Sequence, residues 1–486
     1  MDKNTKIIFH VDVNSAFLSW SAVKLLKDNP DQIDLRTIPS AVGGDVESRH
    51  GIITARSIPA KKYGVTTGEP VVKALQKCPN LVIVSGDFKT YREYSARFID
   101  VLRSYSPLVE QVSIDEAFID MTEPIKDMYQ SAIKLECSLE KDLITNGRVS
   151  KEHFTKEPVS KESIPQESTL EEPLTKAFIA GESANKPSYN IEDFALILAS
   201  NIKEEIKQTL GFTVNVGIST NKLLSKMASD FEKPDKIHTL FPDEIRKKMW
   251  PLPIGDLYGC GKQTSLRLSE LGMKTIGDVA NTDQKLLENL LGIKQGDYIY
   301  RSSNGLGNDE VNPLEEDAKS YSNETTTKSD INFDNYESKM PQTLRWLSES
   351  VARRLQRDGV FASTVSVNVK TDSFKRRSKQ MGIADSTNDA EIIFKTATRL
   401  MDELVLGIDG LFAKGYSIRL VGVGASDLDK GQYRQMSLFE ISNNEGSQVQ
   451  APHKQDAIRA QKQRLLREMT KSIEDKFGQG AIHKGK

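Results

Sequence analysis

Val112-Ser113-Ile114-Asp115-Glu116-Ala117-Phe118-Ile119-Asp120 sets two adjacent carboxylates inside an otherwise apolar, strand-like run. A strand that buries one face normally keeps charge off it, because an unpaired carboxylate in a low-dielectric interior is expensive. Two neighbouring carboxylates also repel unless a strong positive charge lies between them. A divalent metal is the simplest source of that charge. Ile7-Ile8-Phe9-His10-Val11-Asp12-Val13-Asn14 repeats the pattern near the N-terminus, again with an acid at the end of an apolar run. Asp12, Asp115 and Glu116 together offer three hard oxygen donors suited to Mg²⁺ or Mn²⁺. On a regular strand adjacent side chains point to opposite faces, so the Asp115–Glu116 pair is expected at a strand end or bend.

The remaining composition bounds the class. The chain has 486 residues, room for three or four domains, with 38% hydrophobic and 28% charged residues, as in soluble globular proteins. Cys78, Cys137 and Cys260 are scattered without CxxC pairing, which argues against a zinc site or disulfide framework and favours a reducing, cytoplasmic compartment. The sequence carries no signal peptide and no apolar span of membrane length. Its net charge of −2 conceals a division along the chain. Between Lys339 and Gly382 ten Lys or Arg face three acids, whereas between Glu136 and Asp193 seven face twelve. A phosphate backbone responds to the local balance.

Apolar periodicity predicts a strand over 6–13, a helix over 15–26, short strands over 51–56 and 81–84, and a helix over 91–104. Residues 145–190 lose all periodicity and fill with Glu, Lys, Ser and Pro, the composition of a flexible insert. Periodicity returns with a helix over 191–209, a strand over 213–218 and a helix from Asn221, so the insert interrupts one domain. Residues 242–312 read as helices punctuated by glycine. Strands over 363–369 and 416–423 alternate with helices over 342–356 and 389–406, an α+β module. Beyond Asp427 the tail is polar apart from Gln435–Phe439 and a basic helical pattern near 456–477.

Five elements resemble, in order, the Y-family or lesion-bypass DNA polymerases, in particular the bacterial DNA polymerase IV and UmuC-like branch. They are the acidic strands, Thr54-Ala55-Arg56-Ser57-Ile58-Pro59-Ala60-Lys61-Lys62-Tyr63-Gly64-Val65, Val216-Gly217-Ile218-Ser219-Thr220-Asn221-Lys222-Leu223, Pro253-Ile254-Gly255-Asp256-Leu257-Tyr258-Gly259-Cys260-Gly261, and Gln435-Met436-Ser437-Leu438-Phe439. The resemblance implies an α+β right-hand polymerase. Its palm would be 1–16 and 86–230, with the acidic insert at about 145–190, and its fingers 17–85. A thumb with a helix-hairpin-helix would span 231–312, a linker 313–322, a C-terminal α+β little finger 323–426, and a tail with a clamp-binding motif 427–486.

The implied activity is template-directed addition of deoxynucleotides to a primer 3′ end by two-metal phosphoryl transfer, with low fidelity and no proofreading. The alternative is a non-catalytic DNA- and clamp-binding accessory protein of mutagenic repair. Asp12, Asp115 and Glu116 would hold two Mg²⁺ ions, with Mn²⁺ as a substitute, and the Val13 carbonyl would add a ligand. Phe17 matches the steric gate beneath the sugar, although a Phe on an apolar helix face otherwise reads as core. Arg56, Lys61 and Lys222 would contact the triphosphate. Lys61 and Ile58 replace the family's usual Arg and Tyr, and Asn14 stands where a second acid is common. Gly259 and Gly261 in the hairpin, with Lys375, Arg376 and Arg377, would meet DNA phosphates, and Gln435, Leu438 and Phe439 the replication sliding clamp. The implied partners are therefore primer-template DNA, deoxynucleoside triphosphates and the clamp. The protein is expected to be a cytoplasmic monomer with no membrane association.

Overall fold

The computed structural model describes residues 5–44, 51–132, 190–314 and 317–430, which divide into two compact units, Met1–Asp317 and Ala318–Lys486. The first is organised by a five-stranded sheet whose strands are β1 (Ile8–Val13), β5 (Val109–Gln111), β6 (Glu116–Asp120), β7 (Val214–Ser219) and β8 (Ile237–Thr239), in the order β5-β6-β1-β7-β8. β1 runs antiparallel to both β6 and β7, and β8 parallel to β7. A smaller sheet, β3-β2-β4, comprises β2 (Ser40–Gly43), β3 (Ile53–Arg56) and β4 (Val82–Val84).

The two faces of β1 have different fates. Phe9, Val11 and Val13 point into the main core. Against that core pack α1 (Ala16–Asp28), α4 (Phe88–Tyr105) and α5 (Ile191–Leu210), through Trp20, Phe98, Leu102, Leu198 and Ile202. Between α1 and α4, α2 (Ile58–Lys62) and α3 (Val71–Lys77) belong with the small sheet and its own core of Ile53, Ala60 and Val71. Asn190 opens α5 with a capping box and Gly211, at φ 82°, closes it, so the helix resumes abruptly after the insert.

The opposite face of β1 carries Ile8, His10 and Asp12, and α6 (Lys222–Asp230) lies across it. Gly217 on β7 permits this approach: a Cβ there would run into the Ser225 carbonyl and the Ser229 amide of α6. Asn221 caps the helix by accepting from the Leu224 amide. Four further helices follow: α7 (Lys262–Glu270), α8 (Ile276–Ala280), α9 (Gln284–Leu291) and α10 (Ile293–Ser303). Leu268, Ile276, Val279, Leu287 and Ile299 bury in a common cluster.

The second unit is a four-stranded antiparallel sheet, β11-β10-β12-β9, with two helices on one face. Its elements are β9 (Ser320–Ile331), α11 (Tyr336–Arg357), β10 (Phe361–Thr371), β11 (Arg376–Thr387), α12 (Ala390–Val405) and β12 (Ile418–Asp429). Val365, Val367, Val369, Val421 and Val423 meet Leu344, Leu347, Val351, Leu400 and Met401. Apolar periodicity does not reveal β9 and β11, whose residues are mostly polar. The linker expected over 313–322 also overlaps Ser320–Ser322, where β9 has already begun. β8, grouped by sequence with the following helical segment, is in fact an edge strand paired with β7. Residues 145–189 and the tail beyond 430 lie outside the described residues. Among the described residues no helix is long and apolar enough to cross a membrane.

Gly217→Ala is expected to lower unfolding stability by about 3 kcal/mol, because the new methyl meets helix backbone that cannot move aside. Chemical denaturation of the variant beside the wild type measures it.

Candidate active site

Strand register brings the acids together. Asp12 on β1 stands directly opposite Glu116 on β6, so their side chains leave the sheet on the same face. Asp115 precedes β6, and its carbonyl accepts from the Val13 amide at 2.9 Å. The acidic pair thus straddles a strand start, which spares Asp115 the opposite-face orientation that strand pleating would impose.

Each acid has a different neighbourhood. Lys226 Nζ on α6 lies 2.5 Å from Glu116 Oε2. Lys233, in the turn after α6, ion-pairs with Asp12 and also with Asp230 at 2.7 Å. Asp115 accepts from Ser113 Oγ at 2.6 Å and has no lysine or arginine in salt-bridge contact among the described residues. His10 Nδ1 bonds Ser229 Oγ at 2.8 Å, and its Nε2 lies 3.4 Å from Glu116.

The electrostatic consequences differ accordingly. His10 and the Lys226 ammonium hold the Glu116 carboxyl down at about 2. The His10 contact is not aligned as a hydrogen bond, so the ammonium is the stronger physical cause. Burial lowers the pKa of His10 itself, favouring the neutral ring. Asp115 moves the other way, pushed up by burial and by the charges of Asp12 and Glu116. Lys233 is opposed by burial but held protonated by Asp12 and Asp230.

Among the described residues no three His, Cys, Asp or Glu side chains are gathered as a ready-made metal site. Asp12 and Glu116 instead address lysines, and Asp115 a serine. Their chemistry nevertheless fits a divalent ion: three oxygen-donor groups share one end of a sheet, and two of them already carry a neutralising cation.

Asp12 and Asp115 border a cavity of about 550 Å³ that is also lined by Val13, Phe17, Arg36, Arg56, Ile58, Lys61 and Lys233. Phe17 is partly buried against the core, and its ring stacks on Tyr91 at 4.7 Å. Arg56 donates to Thr67 Oγ1 at 3.3 Å, and Ser57 caps the short helix that carries Ile58 and Lys61. Arg36 is tied to Asp34 and to the Gly211 carbonyl.

Lys222, expected at the triphosphate, has a different partner in this structure. It does not border this cavity but binds both Glu110 oxygens at 2.9 Å, on the neighbouring strand β5. Lys226, one turn later, reaches the acids, and Lys233 reaches the cavity. Sequence reasoning missed both. The available signal was a second lysine four residues after Lys222, on the same helix face. Asn14, where an acid is common, anchors the turn carrying Lys233. Its Oδ1 accepts from the Asp235 amide and Thr213 Oγ1, both at 2.9 Å, while its Nδ2 donates to Asn215 Oδ1 at 3.0 Å. An aspartate could not make that donation.

Gly259, at φ 82°, sits under the Tyr298 ring, and Gly261 opens α7 with free space where a Cβ would stand. In the second unit Lys375 lies over the Tyr416 ring, Arg376 pairs with Glu324 at 3.2 Å, and Arg377 donates to the Arg376 carbonyl. Gln435, Leu438 and Phe439 lie outside the described residues.

The Glu116 shift has a definite sign. A carboxyl held below its ordinary 4.5 contributes stability that is fully present above that pH and is lost as pH falls through about 2. Asp115, shifted up, has the opposite effect. In the metal-free protein Lys226→Met is expected to cost about 2 kcal/mol at pH 7. The gap from wild type should narrow as the pH is lowered from 4.5 towards 2. Urea denaturation across that range reads both.

Comparison with known proteins places this geometry. Residues 11–230 match the model of the impB/mucB/samB family, 318–438 that of its C-terminal domain, and 255–307 a thumb domain described for DNA polymerase-iota. The chain is 36% identical over 445 residues to a DNA polymerase IV of Clostridium acetobutylicum, covering 92% of this chain and 93% of that protein. It is 29% identical to DNA polymerase IV 1 of Bacillus subtilis, covering 100% and 94%. A solved Y-family DNA polymerase chimera superposes with a TM-score of 0.63 at 20% identity, over 87% of this chain and 98% of the other, which shows a shared fold. With three consecutive family models matched and a relative aligned along nearly its whole length, the chain belongs to the impB/mucB/samB family, the Y-family DNA polymerases.

Proposed function

We propose that this chain is a translesion DNA polymerase that extends a primer by phosphoryl transfer at Asp12, Asp115 and Glu116, with low fidelity and without proofreading. The observation that carries this reading is the cross-strand pairing of Asp12 with Glu116, beside Asp115, at the margin of a cavity lined with cations. Family membership implies primer-template DNA, deoxynucleoside triphosphates and a divalent metal. Two Mg²⁺ ions, or Mn²⁺ in their place, would be held by the three carboxylates and the Val13 carbonyl. When bound, they make the primer 3′-hydroxyl more acidic and balance charge on the triphosphate.

The protein's own groups do the positioning. Lys233 pairs with Asp12, neutralising it where a metal ion would bind, and with Arg56 and Lys61 it would face the phosphates across the cavity. Lys226 keeps Glu116 ionised, while Ser113 orients Asp115. Phe17 presents its ring to the sugar, where a 2′-hydroxyl would clash. Gly259 and Gly261 let backbone approach a DNA phosphate, and Lys375, Arg376 and Arg377 track the backbone. The accessory-protein alternative has no use for three carboxylates held together at the cost of their repulsion.

Asp115→Ala or Glu116→Ala is expected to reduce primer extension about a thousandfold or more while DNA affinity changes only a few-fold. Chelating Mg²⁺ should silence the wild type as completely. Extension by both variants at the wild-type rate would exclude the assignment.

Gln435, Leu438 and Phe439 are proposed to dock on the sliding clamp, a Leu-Phe pair in a polar tail being an anchor in need of a pocket. Replacing Leu438 and Phe439 with Ala should spare synthesis on short primers and abolish stimulation by loaded clamp. Primer extension with and without clamp compares the two.

A further inference from the structure

Lys233 stands on an irregular turn, residues 231–236, between α6 and β8. A side chain on such a turn is only as well placed as the turn itself. The two ends are secured from β7. Asn215 Nδ2 donates to the Ser229 and Glu232 carbonyls at 3.1 and 2.6 Å, and its Oδ1 accepts from the Lys236 amide at 3.3 Å. Asn14 takes the Asp235 amide. The remaining tie comes from the helix that resumes after the insert.

Lys203 on α5 places its Nζ 2.6 Å from the Asp235 carbonyl oxygen and 3.0 Å from Asp235 Oδ1. Its neighbours Ile202 and Ile206 serve the core, yet the lysine side chain is itself only 13% exposed. A lysine that merely covers apolar surface keeps its head in water. This one gives up hydration, which is costly without polar partners, and finds both partners on a single residue 32 positions away. Asp235 has φ 61°, in the left-handed region where a Cβ is strained and glycine is not. Its carboxylate is what glycine could not offer, and Lys203 holds it, with Lys207 more loosely at 3.6 Å. One ammonium thus grips backbone and side chain together, fixing the orientation of the peptide two residues beyond Lys233 as well as its position.

We propose that Lys203 is a positioning residue for nucleotide binding: by clasping Asp235 it holds Lys233 towards the cavity and so sets affinity for the incoming triphosphate. This rests on the reading of Lys233 as a group that faces the phosphates. Steady-state insertion of a matched deoxynucleotide by Lys203→Met, Lys203→Arg, Lys207→Met, Asp235→Ala and Lys233→Ala, each with a melting curve, tests it. Amide hydrogen exchange over residues 231–236 of the metal-free protein supplies a second reading. Lys203→Met should raise nucleotide KM about fivefold with kcat little changed, and speed exchange at the Asp235 amide about tenfold. Lys203→Arg, which keeps the charge, should recover most of both losses. Lys207→Met should stay close to wild type, since Lys207 has only the long contact to the carboxylate. In the Lys233→Ala background Lys203→Met should raise KM no further. If Lys233→Ala raises KM but Lys203→Met does not, the positioning role is overturned and the reading of Lys233 stands. If Lys233→Ala leaves KM unmoved, both fall. Should Lys203→Met fail to fold, Asp235→Ala, which leaves α5 intact, decides: raised KM with faster exchange upholds the clasp, and wild-type values overturn it.

Discussion

Repulsion among Asp12, Asp115 and Glu116 is the constraint around which the first unit is built. Antiparallel pairing of β1 and β6 places two of the carboxylates opposite one another, and the turn before β6 brings in the third. Such a cluster persists only if cations are delivered to it. Lys226 and Lys233 deliver them from α6 and the turn that follows. Both depend on α6 lying flush against the sheet, which Gly217 permits, and on the Asn14–Asn215–Thr213 hydrogen bonds that pin the Lys233 turn.

Charge compensation by lysine has a different character from compensation by a metal. An ammonium is a point charge on a flexible stem, able to leave when a stronger competitor comes. The arrangement therefore keeps the acids ionised and close together without committing them, and it leaves Asp115, whose carboxyl is pushed up, as the least compensated of the three. The Phe17 ring, which also lines the cavity, is packed instead, stacked on Tyr91 and met edge-on by Phe88. A site with exchangeable charge on one wall and fixed shape on the other suits a reaction in which phosphate charge must be met and sugar shape judged.

Much of this is legible in one dimension. β1, β7, α1, α4 and α5 announce themselves through apolar periodicity, because each buries a face in a core and burial selects residue type directly. Adjacent Asp115 and Glu116 in an apolar run signal a strand start by themselves, since a continuous strand would send the two side chains to opposite faces. β9 and β11 escape notice for the converse reason. Their outer residues are polar, and the hydrogen bonds that make them strands come from β12 and β10, neighbours that no local period reveals.

The cations mark the boundary between the two kinds of knowledge. That a lysine after the β7 turn should matter is readable from motif and spacing. Which lysine meets which acid is not. Lys222 and Lys226 share a helix face, yet the first lands over Glu110 on β5 and the second over Glu116 on β6. The choice is made by the lateral order β5-β6-β1-β7-β8 and the angle at which α6 crosses it. The sequence by itself determined the three acids, the position of Phe17 on an apolar helix face and the apolar faces of the other elements, because residue chemistry and period are local properties. Only the tertiary structure decided the partners of each charge and the rings behind Phe17, because these contacts join segments tens to hundreds of residues apart and so depend on how the elements pack.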